Sequence, residues 1–251
     1  MIDLTLVGIG TGNPEHLTLQ AVRALSEADV ILIPRKGDGK EDLADLRHAI
    51  LAALPQPPRT VEFDLPQRDP AIPDYATRVD RWHDAIAACW NDALRTALPT
   101  GAGKAALMIW GDPSLYDSSL RIADRVMADR PATLRVVPGI TSVQALCAAH
   151  AMPLNAVGAP VTITTGRDLR ENGWTGGGTT LVVMLDGDCA FTTLPPEGIH
   201  IAWTAFAGMP QEVSISGPLV EAGPRILTAR ADARARHGWI MDTYRLRRGH
   251  V

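Results

Sequence analysis

The residues of this 251-residue chain whose types and spacing could do chemistry fall in three short turns, each behind an apolar run. The first is VGIGTGNP at 7–14, where Gly8, Gly10 and Gly12 allow a backbone to turn tightly or to approach a ligand closely. The second, WGDPSLYDSS at 110–119, puts the carboxylate of Asp112 and peptide groups at the end of a strand. The third, VVPGITS at 136–142, has Gly139 to free the backbone and Thr141 and Ser142 to offer hydroxyls at a helix start. Ligands of open α/β sheets bind outside the carboxyl ends of the strands, so the three turns make a candidate small-molecule site. Taken singly, the first is also a plain strand-to-helix turn and Thr141 an ordinary N-cap.

The glycine turn invites a dinucleotide, which makes a nicotinamide-dependent oxidoreductase the alternative from another class. Against it, the spacing is GxGxG and not GxGxxG, Pro14 interrupts the helix start, and strand two ends in Pro34 and Arg35 without an acid for a ribose. Proton carriers by chemistry are Tyr116 and Asp117 beside the second turn, and Asp186 or Asp188 after a later strand. Cys89, Cys147 and Cys189 lack CxxC spacing, and His83, His150 and His237 lack ligand spacing, so neither disulfide nor metal is expected.

Elements that could position these turns follow from hydrophobic periodicity. Strands are expected at 2–9, 29–34, 105–110 and 134–137, and helices from 17, over 41–54, over 75–97 and over 141–150. Residues 55–73 read as a proline-punctuated connection. Strands alternating with helices imply a doubly wound parallel sheet. Past Pro153 the texture changes to strands at 160–165, 180–185, 200–204, 212–216, 225–229 and 240–246, with few strong helices. Two α/β domains are expected, 1–153 with the parallel sheet and 154–251 with a mixed sheet, and a ligand cleft between them.

Composition narrows the partners. Apolar residues at 46% and charged residues at 21% exclude a disordered chain. No apolar run reaches the roughly 18 residues of a membrane span, and the first residues carry no signal peptide, so a cytoplasmic protein is expected. Lys plus Arg at 24 against Asp plus Glu at 28 leaves a net charge of −4, which argues against nucleic acid despite Arg230, Arg234, Arg236, Arg245, Arg247 and Arg248 near the end. An anionic ligand would need a local basic cluster, for which Arg35, Lys36, Lys40, Arg167 and Arg170 are candidates.

VGIGTGNPEHLTL, GDPSLYDSS, VPGITS and the MPL at 152–154, in that order, resemble the class III S-adenosylmethionine methyltransferases that act on tetrapyrroles. ILIPRKG at 31–37, VDRWHDAI at 79–86, ITTGRDLRENGW at 163–174, VVMLDGDCAF at 182–191 and HGWIMD at 237–242 extend the resemblance over the whole chain. It implies the tetrapyrrole methylase fold and S-adenosylmethionine held by Gly111, Asp112, Pro113, Leu115, Thr141, Ser142, Met184, Leu185 and Ala207. Asp112 would face the ammonium of the methionine moiety, and Met184, taken alone a buried strand residue, would be a soft partner for adenine. The implied reaction is methyl transfer to C-1 of precorrin-5, with acetate lost after water adds. Precorrin-5 is a polycarboxylate, for which Arg35, Lys36 and Arg167 are the expected binders. Tyr116 and Asp117 stay the proton-transfer candidates, another corrinoid carbon stays open as the target, and a homodimer is expected. Many relatives have proline where this chain has Thr11, and an acid near Pro34 and Arg35, so no general base is implied there.

Overall fold

The computed structural model describes residues 1–35, 42–54 and 58–249. Lys36 and Lys40 lie outside the described residues. The chain divides into two compact units, Met1–Ile140 and Thr141–Val251, so the helix that follows Ile140 belongs to the second unit.

The first unit runs β1 (Ile2–Gly8), α1 (Leu19–Ser26), β2 (Val30–Arg35), α2 (Asp42–Ala52), β3 (Thr60–Asp64), α3 (Tyr75–Ala97), β4 (Gly103–Ile109), α4 (Ser119–Asp129) and β5 (Ala132–Val137). Its five strands are all parallel, in the order β3-β2-β4-β1-β5. The near-continuous apolar character of β1, β2 and β4 follows from burial on both faces. Leu4, Leu6, Val30, Leu32 and Leu107 face Ile86, Trp90, Leu94, Ile122 and Val126 of α3 and α4. Val7, Ile9, Ile31, Ile33 and Met108 face Ala21, Leu25, Ile50 and Leu51 on the opposite side. The 55–73 region, expected as a connection, contains the edge strand β3. Only Val61 and Phe63 of that strand are partly buried, so its apolar signal is short and flanking prolines mask it.

The second unit runs α5 (Ser142–Ala149), β6 (Val161–Thr165), α6 (Gly166–Asn172), β7 (Thr180–Met184), β8 (Ile199–Ala205), β9 (Val213–Pro218), α7 (Leu219–His237) and β10 (Asp242–Arg248). Its sheet has the order β6-β7-β10-β8-β9, with β6 and β7 parallel and the remaining pairs antiparallel. The strand expected at 225–229 is instead the middle of α7. Gly223 and Pro224 suggest a break, yet the alanines, arginines and leucines around them are strong helix formers, and Leu219, Ala222, Ile226 and Ala233 make a buried stripe. Two arginines of the basic tail turn inward. Arg230 pairs with Asp242 at 2.9 Å, and Arg245 donates to the Pro153 carbonyl at 2.7 Å. Among the described residues no helix is long and apolar enough to cross a membrane, and no group of three potential metal ligands occurs.

Candidate functional site

In the first unit the ends of β4, β1 and β5 stand side by side, which brings three glycines into backbone contact. A Cβ on Gly139 would lie 2.1 Å from the Gly111 carbonyl oxygen and 2.8 Å from the Gly8 carbonyl carbon. A Cβ on Gly8 would meet the Gly139 nitrogen at 2.6 Å. Only glycine fits at either place. Gly10 and Gly111 also exchange backbone hydrogen bonds of 3.3 and 2.8 Å. The Gly10 amide is therefore engaged within the protein. The glycine turn runs into a single 3-10 turn at Pro14–His16, and helix α1 starts only at Leu19, capped by Thr18, so the turn does not open an α-helix as a dinucleotide site requires.

Asp112 locks this arrangement. One carboxylate oxygen accepts from the Ser114 amide at 2.8 Å and from the Ser114 hydroxyl, and the other accepts from the Gly139 amide at 2.8 Å. Partial burial works against its charge, but the hydrogen bonds from Ser114 and Gly139 outweigh it and hold the carboxyl below its ordinary value. Both oxygens serve the turn, so Asp112 clips the second turn to the third. Pro113 is buried, Leu115 half-buried and Tyr116 exposed, the last at φ 51°, a left-handed backbone uncommon for a side-chain-bearing residue. Asp117 accepts from the Ser119 amide at 2.6 Å, where α4 begins.

Arg47 of α2 also reaches the end of β4, and sequence reasoning did not single it out. Its Nε donates to the Met108 carbonyl at 3.2 Å; burial lowers its pKa, opposed by the nearby charge of Asp117. Nothing local marks it, because its neighbours come from strands and turns distant in the chain.

In the second unit Thr141 caps α5. Its hydroxyl accepts from the Val143 amide while the Gln144 side chain accepts from the Thr141 amide, a capping box. Ser142 is the first residue of α5 and half-buried. Met184 ends β7 half-buried, and Leu185 directly after it has φ 53° with its side chain held out, 66% exposed. Ala207 is buried and follows Phe206 at φ 52°. Asp186 is almost wholly enclosed and bonded on both oxygens. That removes it as a carrier of protons to a ligand, whereas Asp188 is exposed.

The basic candidates divide. Arg35 ends β2 and pairs with Asp64 at 3.1 Å and Glu62 at 3.5 Å on the neighbouring strand β3, so its charge is partly met within the fold. Arg167 is exposed at the start of α6 in the second unit. The structure thus assigns Gly111, Asp112, Pro113, Leu115, Tyr116, Asp117 and Arg35 to the first unit, and Thr141, Ser142, Arg167, Met184, Leu185 and Ala207 to the second.

Comparison with known proteins gives a consistent result. The sequence pattern of the tetrapyrrole (corrin/porphyrin) methylases matches residues 3–223. A Sinorhizobium protein named precorrin-6A synthase [deacetylating] is 47% identical over 99% of this chain and 96% of its own length. A crystal structure of a cobalamin-synthesis-related protein, CobF, from Corynebacterium diphtheriae superposes with a TM-score of 0.83 at 38% identity, covering 100% of both chains. The uroporphyrin-III C-methyltransferase of Thermus thermophilus, solved in complex with S-adenosylhomocysteine, has the same fold, with a TM-score of 0.57 at 20% identity over 97% of this chain and 96% of that one. This chain belongs to the tetrapyrrole (corrin/porphyrin) methylase family.

Proposed function

We propose that this chain is an S-adenosylmethionine-dependent C-methyltransferase of corrin synthesis that methylates precorrin-5 at C-1 and releases acetate to give precorrin-6A. The observation that carries the reading is the near full-length likeness to the Sinorhizobium precorrin-6A synthase. The residues present fit an adenosine-bearing ligand: Leu185 holds an apolar side chain out of a left-handed backbone, and the 111–113 turn sits at the carboxyl end of a central strand. When bound, S-adenosylmethionine supplies a methyl group on a sulfonium, which leaves as a neutral thioether.

The chain's own residues bind and orient. Gly111, Asp112, Pro113, Leu115, Thr141, Ser142, Met184, Leu185 and Ala207 are assigned to the cofactor, and Asp112 also fixes the 111–114 peptide. Holding donor and carbon nucleophile in line can contribute about 7–11 kcal/mol of the barrier reduction at the methyl step. Arg167, Lys36 and Arg35 are assigned to substrate carboxylates, Arg35 by exchanging Asp64 and Glu62 for them. Deacetylation needs an activated water, and the exposed phenol of Tyr116 or the Asp117 carboxylate is assigned to move that proton. A cytoplasmic homodimer completes the reading; light scattering of the purified protein tests the dimer.

Incubation with precorrin-5, methyl-labelled S-adenosylmethionine and a reduced nicotinamide tests the function. The expected result is label at C-1 and equimolar acetate. Label on another ring carbon would make the chain a methylase of a different corrinoid position, and oxidation of a nicotinamide without methyl transfer would overturn the reading.

A further inference from the structure

Asp186 follows Leu185 directly after β7, and its side chain is 2% exposed. One carboxylate oxygen accepts from the Ala190 amide and from the Tyr244 hydroxyl, both at 2.6 Å. The other accepts from the Asp188 amide at 3.1 Å and from Arg170 at 3.4 Å. The Asp186 carbonyl in turn accepts from Arg230 at 3.0 Å. Below the carboxylate lies Gly166, where a Cβ would come within 2.4 Å of the Asp186 Cγ, so the first residue of α6 is glycine to make room for it.

This clip is flanked by strain. Leu185 has φ 53° and Cys189 φ 57°, the left-handed region that side-chain-bearing residues avoid. Such conformations persist when surrounding contacts over-determine them, and here the contacts converge on Asp186. Cys189 is buried, whereas Leu185 stands 66% exposed at the carboxyl end of a strand. A relaxed extended turn would not hold the Leu185 side chain in this direction.

We propose that Asp186 is a positioning residue, a buried clip with Tyr244 that holds the Leu185 side chain out in the orientation that contacts the bound cofactor. The proposal rests on the methyltransferase reading above, since it needs Leu185 to touch that ligand. Asp186 acts through Leu185: its own bonds run within the protein, to its turn, to Arg170 and to Tyr244.

Calorimetric titration with S-adenosylhomocysteine of the full chain and of Leu185→Ala, Asp186→Asn and the double variant tests it, with urea unfolding in parallel. Leu185→Ala is expected to weaken binding about tenfold, the scale of an apolar side chain leaving a contact. Asp186→Asn is expected to weaken it by a similar factor alone and by nothing further when Leu185 is already alanine. A residue needed for folding alone would lower unfolding stability without that non-additivity. Should Asp186→Asn fail to fold, Tyr244→Phe removes one bond from the clip and is expected to lower affinity three- to tenfold, with the same loss of effect in the Leu185→Ala background. Additive losses, or normal affinity in Asp186→Asn and Tyr244→Phe, overturn the clip while leaving the cofactor reading intact. Normal affinity in Leu185→Ala overturns the contact itself, and no binding to the unaltered protein overturns the methyltransferase reading.

Discussion

Replacing Gly139 by alanine adds one methyl group at the point where three strand ends touch, and the structure sets the size of the effect. The new carbon would sit 2.1 Å from the Gly111 carbonyl oxygen, against an ordinary contact of 3.4 Å or more, so the β4 and β5 turns must separate by about 1.3 Å. All three of its nearest neighbours are backbone atoms of Gly111 and Gly8, which no side-chain rotation can move. Overpacking of this kind costs about 1–3 kcal/mol, and separation also stretches the 2.8 Å bond from the Gly139 amide to Asp112, worth about 1.5–3 kcal/mol as a bond to a charged group. A loss of about 2–5 kcal/mol is expected in urea unfolding, with S-adenosylhomocysteine affinity at least tenfold lower by calorimetry because the 111–113 peptide is displaced. Gly187→Ala is the control: a Cβ there meets nothing within 4 Å, and stability should change by less than about 0.5 kcal/mol. Wild-type stability and affinity in Gly139→Ala would refute the reasoning, since the glycine contact and the Asp112 clip could not then shape the site.

Other perturbations reach the fold and the substrate separately. Asp242→Ala strands the buried Arg230 guanidinium, and urea unfolding should record a loss of about 3–5 kcal/mol. His83 is buried, and burial together with the charges of Arg125 and Arg121 lowers its pKa below the ordinary 6.5. Between that lowered value and 6.5 the unfolded chain binds the extra proton, so stability should fall as pH drops below about 6.5, by at most about 1.4 kcal/mol per pH unit, and His83→Gln should flatten that slope. Arg35→Ala should raise KM for precorrin-5 while leaving S-adenosylhomocysteine affinity unchanged; equal loss of both would remove Arg35 from the substrate site.

Local pattern carried much of the architecture. The apolar runs of β1, β2 and β4 and the three-four spacing of α3 read directly as buried parallel strands and an amphipathic helix, because burial on one or both faces writes a period into the sequence. Strand β3 escaped notice because an edge strand with little burial leaves almost no pattern, and α7 because a Gly-Pro pair reads as a break although the packing of Ala222 and Ile226 carries the helix through it. The turns of the candidate site were visible from glycine and proline chemistry. Their wiring was not. Asp112 meets Gly139 27 positions away and Asp186 meets Tyr244 58 away, separations that only the sheet order brings together. That both carboxylates act as clips is therefore visible only once the fold is seen. Arg47 reaches Met108 for the same reason.

The central proposal, that the 111–113 turn and Leu185 each contact the methyl donor, is tested most directly by a crystal structure of the protein with S-adenosylhomocysteine. The ligand is predicted to touch the backbone of 111–113, with Thr141 beside it and the Leu185 side chain against it, while Asp112 stays bonded to Ser114 and Gly139. A ligand seated on the Gly8–Gly10–Gly12 turn alone, or one that leaves Leu185 and the 111–113 peptide untouched, would contradict it.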